Sequence, residues 1–295
     1  HDALPILLKS AAEKLNNTNI AELAWSAALK TQSDKQIIEA TKIWTSMDPE
    51  AHIANNTLLL KSTQNQRGNE VQQLLNEFIA KNSKDPGSYV ATLTRRLSQE
   101  RIDLNWLEPY LDPIWEKYAS APSVVMAKAV YKKRQGEDKE ACRAALSVLP
   151  GNGLVFRQKD LSWFSDNEDF ATTAADICWS VMPEKSQRIL ETVIDSDPSS
   201  TVARLMYGKI LARSGHADLA LEQIHEAIDI DPDSPTVLYN AGELAVECKD
   251  FELAKKLFNN YITAGQSKNP RHDWSLDDVW LHLAMVYDNL KIGRA

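Results

Sequence analysis

Two consecutive segments, 201–234 and 235–268, carry apolar residues at the three-to-four-residue spacing of amphipathic helices, and one pattern repeats the other after 34 positions. Gly208, in the middle of the first apolar run, returns as Gly242. A period of this length is typical of stacked helical hairpins, each of which is too small to bury its own apolar face. The pattern therefore predicts two adjacent hairpins of a repeat architecture.

Within the first segment, the pattern predicts two helices separated by a turn at Gly215. The first helix is expected over 201–214, and the second ends at Asp231-Pro232 because a residue before proline is biased away from helical geometry. Gly208 and Ala220 are small, which favours a close crossing of the two helices that a larger side chain would force apart. The apolar stripe of the second helix is expected to comprise Leu219, Ala220, Ile224, Ala227 and Ile228.

Weaker copies of the pattern extend toward the N-terminus. Residues 167–200 and 18–51 fit the same frame, whereas 100–165 fits it least because Pro109 and Pro113 interrupt helices. We therefore predict divergent hairpins over residues 1–166, irregular around 100–165. Repeat units follow at 167–200, 201–234 and 235–268, with the first helix of a last unit at 277–290. All of them are expected to form one continuous superhelix.

These residues resemble the tetratricopeptide repeat (TPR) family. The shared features are a small residue in the middle of the first helix, an alanine in the second helix (Ala220, then Ala254) and a proline after it. The resemblance covers 201–264 and, less closely, 277–290. It implies an all-α fold, a right-handed α-solenoid of stacked helical hairpins, in which repeats bind a partner more often than they catalyse a reaction.

Both ends of the sequence fall inside this frame. Ala3 stands at the place of Ala220, as if residues 1–4 opened a second helix, and residues 292–295 stand where another second helix would be due. An uncapped solenoid end exposes an apolar face. We therefore expect a piece of a longer chain, with self-association through the uncapped ends as the alternative.

Composition and charge narrow the range of functions. The net charge of −8 argues against a nucleic-acid partner, which requires clustered Lys and Arg. No apolar run approaches the ~18–20 residues needed to cross a bilayer. Cys142, Cys178 and Cys248 form no CxxC pair and are expected to be buried thiols, which leaves an oxidising compartment open.

Catalytic and ligand-binding motifs are weak along the whole sequence. The six histidines form no HExxH motif, and Gly151-Asn152-Gly153 lacks the strand-to-helix context of a phosphate loop. We therefore predict no catalytic residue, no cofactor and no metal site, and lean toward a non-enzyme. Eight tryptophans raise the alternative of a sugar- or polymer-processing solenoid, although residues such as Trp44 and Trp280 sit in apolar helical patterns that favour core packing.

The inner face of the first helices is the best candidate site. In TPR proteins this face commonly holds an extended peptide or a helix of a partner, so the resemblance implies a binding groove here. The charge changes from basic to acidic along this face, which favours a partner of mixed charge with some apolar anchors over a carboxylate clamp. The predicted groove residues are Leu205, Lys209, Arg213, Tyr239, Asn240, Glu243, Glu247, Asp278, Leu281, Met285 and Asp288.

The first ~85 residues also resemble periplasmic TPR lipoproteins of Gram-negative bacteria, through an Ala-rich helix, Trp44 and Asp48-Pro49. This resemblance implies a non-enzymatic adaptor for a protein partner in cell-envelope assembly or proteolysis. It also implies a periplasmic or periplasm-facing membrane-associated location, with the cytoplasm as the alternative. The alternative function is a regulatory or assembly module of a larger enzyme whose catalytic domain lies outside this sequence.

Overall fold

The computed structural model describes residues 3–81, 105–153, 156, 160–267 and 276–290. The chain divides into two compact units, residues 1–144 and 145–295. The described residues form helices and turns and contain no strand. The predicted all-α class is therefore confirmed for this part of the chain.

The described residues of the N-terminal unit form short α-helices. They are α1 (Ala3–Leu15), α2 (Thr18–Leu29), α3 (Asp34–Met47), α4 (His52–Gln64), α5 (Gly68–Lys81), α6 (Glu108–Lys117), α7 (Pro122–Arg134) and α8 (Asp138–Val148), which begins in this unit. The helices of the C-terminal unit are α9 (Leu161–Asp166), α10 (Glu168–Cys178), α11 (Pro183–Ser196), α12 (Thr201–Arg213), α13 (Ala217–Ile230), α14 (Pro235–Glu247), α15 (Phe251–Ser267) and α16 (Leu276–Asn289).

Several apolar clusters hold the described residues of the N-terminal unit together. Leu75, Ile114 and Tyr131 are fully buried in a cluster that joins α4 to α7. A smaller cluster joins α2 to α3 through small residues, and α1 also contacts α3. In the C-terminal unit the alternate contacts join the first helices of successive hairpins, and α9 also contacts α11. The roles of first and second helix within residues 18–51 therefore stay a prediction, as does the continuous superhelix.

The C-terminal unit stacks its helices in a regular order. Each first helix packs against its own second helix, in the pairs α10 with α11, α12 with α13 and α14 with α15. Each second helix also packs against the next first helix, and the first helices α10, α12, α14 and α16 contact one another in sequence. The first helices therefore form a row. The groove predicted from the sequence lies on the face that these helices share.

Glycine permits the close helix contacts that this stacking needs. A Cβ atom on Gly208 would lie 2.7 Å from a methyl carbon of Leu244 and 3.3 Å from the carbonyl oxygen of Ala220. Gly215 has a φ of 85°, the left-handed conformation that often ends a helix. The predicted close helix crossing at Gly208 and the predicted turn at Gly215 are thus confirmed.

Two Asp-Pro pairs, Asp48-Pro49 and Asp197-Pro198, form turns after helices. The Asp48 side chain accepts a hydrogen bond from the backbone N–H of Glu50 at 3.1 Å, and Asp197 accepts one from Ser199 at 3.0 Å. An aspartate that binds the backbone two residues on favours a turn, while the following proline limits helix continuation. The pairs Asp48-Pro49 and Asp197-Pro198 therefore favour a turn directly after α3 and after α11.

Several expectations from the sequence are wrong in detail. Leu219 is exposed on α13 and Trp280 is exposed on α16, so neither packs in the core as expected. Cys142 and Cys178 are buried but disulfide-bonded, so they are not thiols, whereas Cys248 is free. The longer loop expected around residues 268–274 lies outside the described residues.

Candidate partner-binding groove

A groove of about 510 Å³ lies on the row of first helices in the C-terminal unit, over α12, α14 and α16. Its lining combines apolar side chains with hydroxyl, amide and charged groups from three successive helices. The lining residues are Thr201, Val202, Leu205, Met206, Lys209, Arg213, Thr236, Val237, Asn240, Glu243, Leu244, Val246, Glu247, His282 and Met285.

The repeat itself generates this lining. Val202, Met206, Lys209 and Arg213 follow one another at intervals of four, three and four residues, so they form one stripe along α12. The positions 34 residues later are Thr236, Asn240, Glu243 and Glu247, and all four line the groove from α14. Two stripes at equivalent positions therefore face the same space, with different side chains on each.

The third helix follows the same frame after an insertion. His282 and Met285 stand 42 positions after Asn240 and Glu243, which is the repeat length plus eight residues. Both side chains line the groove from α16. One position of the repeat thus carries Lys209, Glu243 and Met285 on three neighbouring helices.

The end of the groove near the N-termini of the helices is mainly apolar. Val202 is exposed at the start of α12, and Met206 lies one turn further along. Val237 lines the same region from α14, where Thr236 adds a hydroxyl group. Apolar surface in a concave site favours the burial of an apolar ligand group.

The opposite end of the groove is charged. Lys209 Nζ lies 4.0 Å from Asp176 Oδ1, and Arg213 lies 3.9 Å from the same carboxylate and 3.8 Å from Glu247 Oε2. These distances are long, and each of the four side chains keeps about a third or more of its surface exposed. Exposed ion pairs of this kind contribute little to stability, so their charges are open to a ligand.

His282 connects the charged groups to the core of the unit. Its Nε2 atom lies 3.5 Å from Glu243 Oε1, and its ring stacks on Phe258 with a centroid separation of 5.5 Å. Tyr239 meets the same imidazole edge-on at 6.0 Å. The histidine is therefore oriented by aromatic contacts on one side and presents a nitrogen to the groove on the other.

Asn240 offers a neutral polar group between these two regions. It is half-buried on α14, and among the hydrogen bonds of the described residues none involves its side-chain amide. An amide side chain both donates and accepts hydrogen bonds. Asn240 is thus suited to bind a backbone peptide group of an extended ligand.

The structure brings most of the predicted site residues together. Those that line the groove are Leu205, Lys209, Arg213, Asn240, Glu243, Glu247 and Met285. Leu281 and Asp288 are exposed on α16 but lie outside the lining. Asp278 falls within α16, and its side chain lies outside the described residues. A binding role for any of them stays a prediction.

The placement of Tyr239 on the groove wall is corrected by the structure. Its ring is buried, with centroids 6.1 Å from Phe258 and 5.7 Å from Tyr261. Aromatic rings at such separations pack favourably. Tyr239 therefore belongs to the core between α14, α15 and α16, since α15 and α16 supply the rings that cover it.

Sequence reasoning missed several lining residues, namely Thr201, Val202, Met206, Thr236, Val237, Leu244, Val246 and His282. A signal for four of them was present. Met206 stands 34 positions before Asn240, His282 follows Asn240 in the frame shifted by eight residues, and Val202 and Thr236 stand four residues before Met206 and Asn240. Carrying one inward stripe through all units would have found them.

Among the described residues, no group of three or more His, Cys, Asp or Glu side chains could hold a metal ion. None of the described helices is long and apolar enough to span a membrane.

Neither a protein-family model nor a curated protein sequence matches the chain. Solved structures do match it. Yeast Tom70 is 11% identical with a TM-score of 0.54, over 98% of this chain and 58% of Tom70.

Two further structures overlap with lower scores. BtubC from P. vanneervenii is 16% identical with a TM-score of 0.47, over 74% of this chain and 84% of BtubC. YrrB, described as a TPR protein with an unusual peptide-binding site, is 20% identical with a TM-score of 0.37, over 72% of this chain and 97% of YrrB. The Tom70 likeness and the stacked hairpins together show that this chain has a TPR-like solenoid fold.

Proposed function

We propose that the protein is a non-enzymatic interaction scaffold, and that its C-terminal unit holds a segment of a partner polypeptide in the groove over α12, α14 and α16. The observation that carries the proposal is the composition of this groove. Three successive first helices direct charged, amide and apolar side chains toward one groove, which has a volume of about 510 Å³. Concave sites of ~300–1,000 Å³ with a few convergent polar groups are common binding sites.

The charged side chains of the groove support this proposal because the fold makes little use of them. Lys209, Arg213 and Glu247 form long, exposed ion pairs, and Arg213 also lies 5.9 Å from the centre of the Trp179 ring. The core of the unit is made instead by buried apolar residues such as Leu257 and Phe258. Charged groups that contribute little to folding can be used to recognise a partner.

Site-specific photo-crosslinking would test the groove directly. A photoreactive amino acid at Val202 would sit in the groove, and the same residue at Leu219 would sit on α13 outside it. The two side chains are both aliphatic and both 47% exposed, so they form a matched pair. We expect crosslinking to a distinct protein from position 202 and not from position 219.

A charge change in the groove completes the experiment. Arg213→Glu combined with Glu247→Arg should weaken the crosslink formed at position 202 while the helical content stays unchanged. Equal crosslinking from both positions, or a crosslink that ignores this double substitution, would count against the groove as the binding surface.

We also propose a location in an oxidising compartment, with the bacterial periplasm as the specific candidate and cell-envelope assembly or proteolysis as the setting. The support is the state of Cys142 and Cys178, which are disulfide-bonded and buried. Disulfides persist mainly in oxidising compartments. In source cells quenched with acid and alkylated at once, only Cys248 should react. Alkylation of all three cysteines would argue for a reducing compartment.

A further inference from the structure

The order of charges across the groove carries information about the partner, provided that the groove binds a polypeptide as proposed above. We infer that the groove selects an extended segment with an acidic residue, a basic residue about three positions away, and an apolar residue about three positions beyond the basic one. The three side chains would lie over α12, α14 and α16 in that order.

The sign of the charge changes from one helix to the next. On α12 the groove presents Lys209 and Arg213, and on α14 the equivalent positions present Glu243 and Glu247. A ligand that crosses these helices therefore meets two positive charges and then two negative charges. A carboxylate over α12 and an ammonium or guanidinium over α14 would complement this order, whereas the reverse order would place like charges together.

The third helix replaces charge with apolar surface. Met285 occupies the repeat position of Lys209 and Glu243, and half of its surface is exposed in the groove. Leu281 lies one turn away on the same helix and is also exposed. An apolar ligand side chain over α16 would remove this surface from water, which favours binding in proportion to the area buried.

The spacing of the ligand residues follows from the spacing of the helices. Packed helices have axes ~8–10 Å apart, and α12 contacts α14 as α14 contacts α16. An extended chain advances ~3.3 Å per residue, so about three residues span one helix. A helical ligand advances only ~1.5 Å per residue, and it would need about six to seven residues for the same step.

Synthetic peptides would test this inference on the full chain. The probe is a fluorescent nine-residue peptide with Asp, Lys and Leu at intervals of three, separated by Ser and Ala, made in both chain directions. Its matched controls exchange Asp with Lys, replace Leu with Ser, or lengthen each interval to seven residues. Fluorescence anisotropy measures the dissociation constant, and the probe should compete with the crosslink formed at position 202.

We expect one chain direction to bind at least ~10-fold more tightly than its charge-exchanged control, an advantage that should shrink at high salt because the charges are partly exposed. The exchanged protein variant Lys209→Glu with Glu243→Lys should abolish this preference, because α12 and α14 would then each present one positive and one negative charge to the groove. Lys255→Glu with Glu252→Lys, an exchange outside the groove, should leave it unchanged. If the groove variant does not fold, the peptide series on the parent chain still decides the matter.

The outcomes separate the two proposals. Peptides that compete with the crosslink but bind equally in either charge order would overturn the inferred register and leave the groove intact. Tighter binding of the peptide with seven-residue intervals would indicate a helical ligand and would also overturn the inferred register. If no peptide binds and position 202 forms no crosslink, then the scaffold proposal fails together with the register.

Discussion

Gly242 offers a quantitative test of how closely the helices of the C-terminal unit are packed. A Cβ atom on this residue would lie 2.6 Å from one ring carbon of Phe258 and 2.9 Å from two others. Phe258 is completely buried in the core of the unit, so its ring cannot turn into solvent. Gly242→Ala must therefore displace either the ring or α14 itself.

Two opposing effects decide the size of the change. Alanine is favoured over glycine inside a helix by ~1 kcal/mol, while overpacking a well-packed core costs ~1–3 kcal/mol. The ring would have to retreat by roughly 0.8 Å to reach ordinary contact, which places the site toward the upper part of that range. We expect Gly242→Ala to lower the free energy of unfolding by about 1–2 kcal/mol.

Urea titration of the full chain, followed by far-ultraviolet circular dichroism, would measure this difference. Phe258→Val supplies the control because it removes the three ring atoms that the new methyl group would meet. In that background Gly242→Ala should become stabilising by up to ~1 kcal/mol, since only the helix propensity remains. The reasoning is refuted if Gly242→Ala is neutral in the parent chain, or if its cost persists without the ring.

Three other predictions use separate parts of the molecule. Tyr239→Ala should cost ~3–5 kcal/mol in a urea titration because it removes a buried ring, whereas a surface residue would cost almost nothing. Lys132→Met should lower the thermal midpoint, since Lys132 bonds Glu108 at 2.6 Å and Glu137 at 3.0 Å; an unchanged midpoint would argue against both bonds. Burial, together with a hydrogen bond to a nearby carboxylate, raises the pKa of Tyr207 to about 12. The stability that this group contributes should therefore persist below the ordinary tyrosine pKa of 10.0 and disappear as the pH rises toward 12. Tyr207→Phe should remove that part of the alkaline stability profile, and an identical profile would contradict the assignment.

The repeat made the C-terminal helices predictable from sequence. The first two hairpins were expected over 201–234 and 235–268, and α12 to α15 occupy these segments. Small residues and turn signals recur there at fixed intervals, so each unit supports the interpretation of the other. Residues 18–51 lack that mutual support. The helices there were found, but the contact of α1 with α3 had no sequence signal.

The sequence predicted a groove residue correctly only where the exposure of its side chain is set by its own helix and not by the helices that follow. Leu205, Tyr239 and Leu281 occupy the same repeat position, yet their exposures are 9%, 8% and 62%. Tyr239 is covered by rings from α15 and α16, and Leu205 packs into the same core cluster. The side chain of a repeat position thus belongs to the core or to the surface according to what the following helices bring. The repeat period in the sequence gives the position of a residue on its helix, but it does not show whether residues of other helices bury that side chain.

The same repeat separates the positions that specify the fold from those that can specify a partner. Gly208 and Gly242 are constrained because a Leu methyl group and a Phe ring lie against their backbones. The next residue in each helix, Lys209 or Glu243, is turned by about 100° and faces the groove. Packing therefore requires small residues at the first position, but it allows Lys and Glu at the second. A scaffold built in this way can change its ligand without changing its fold, so the residues that follow the small positions are where the specificity of this protein should be altered first.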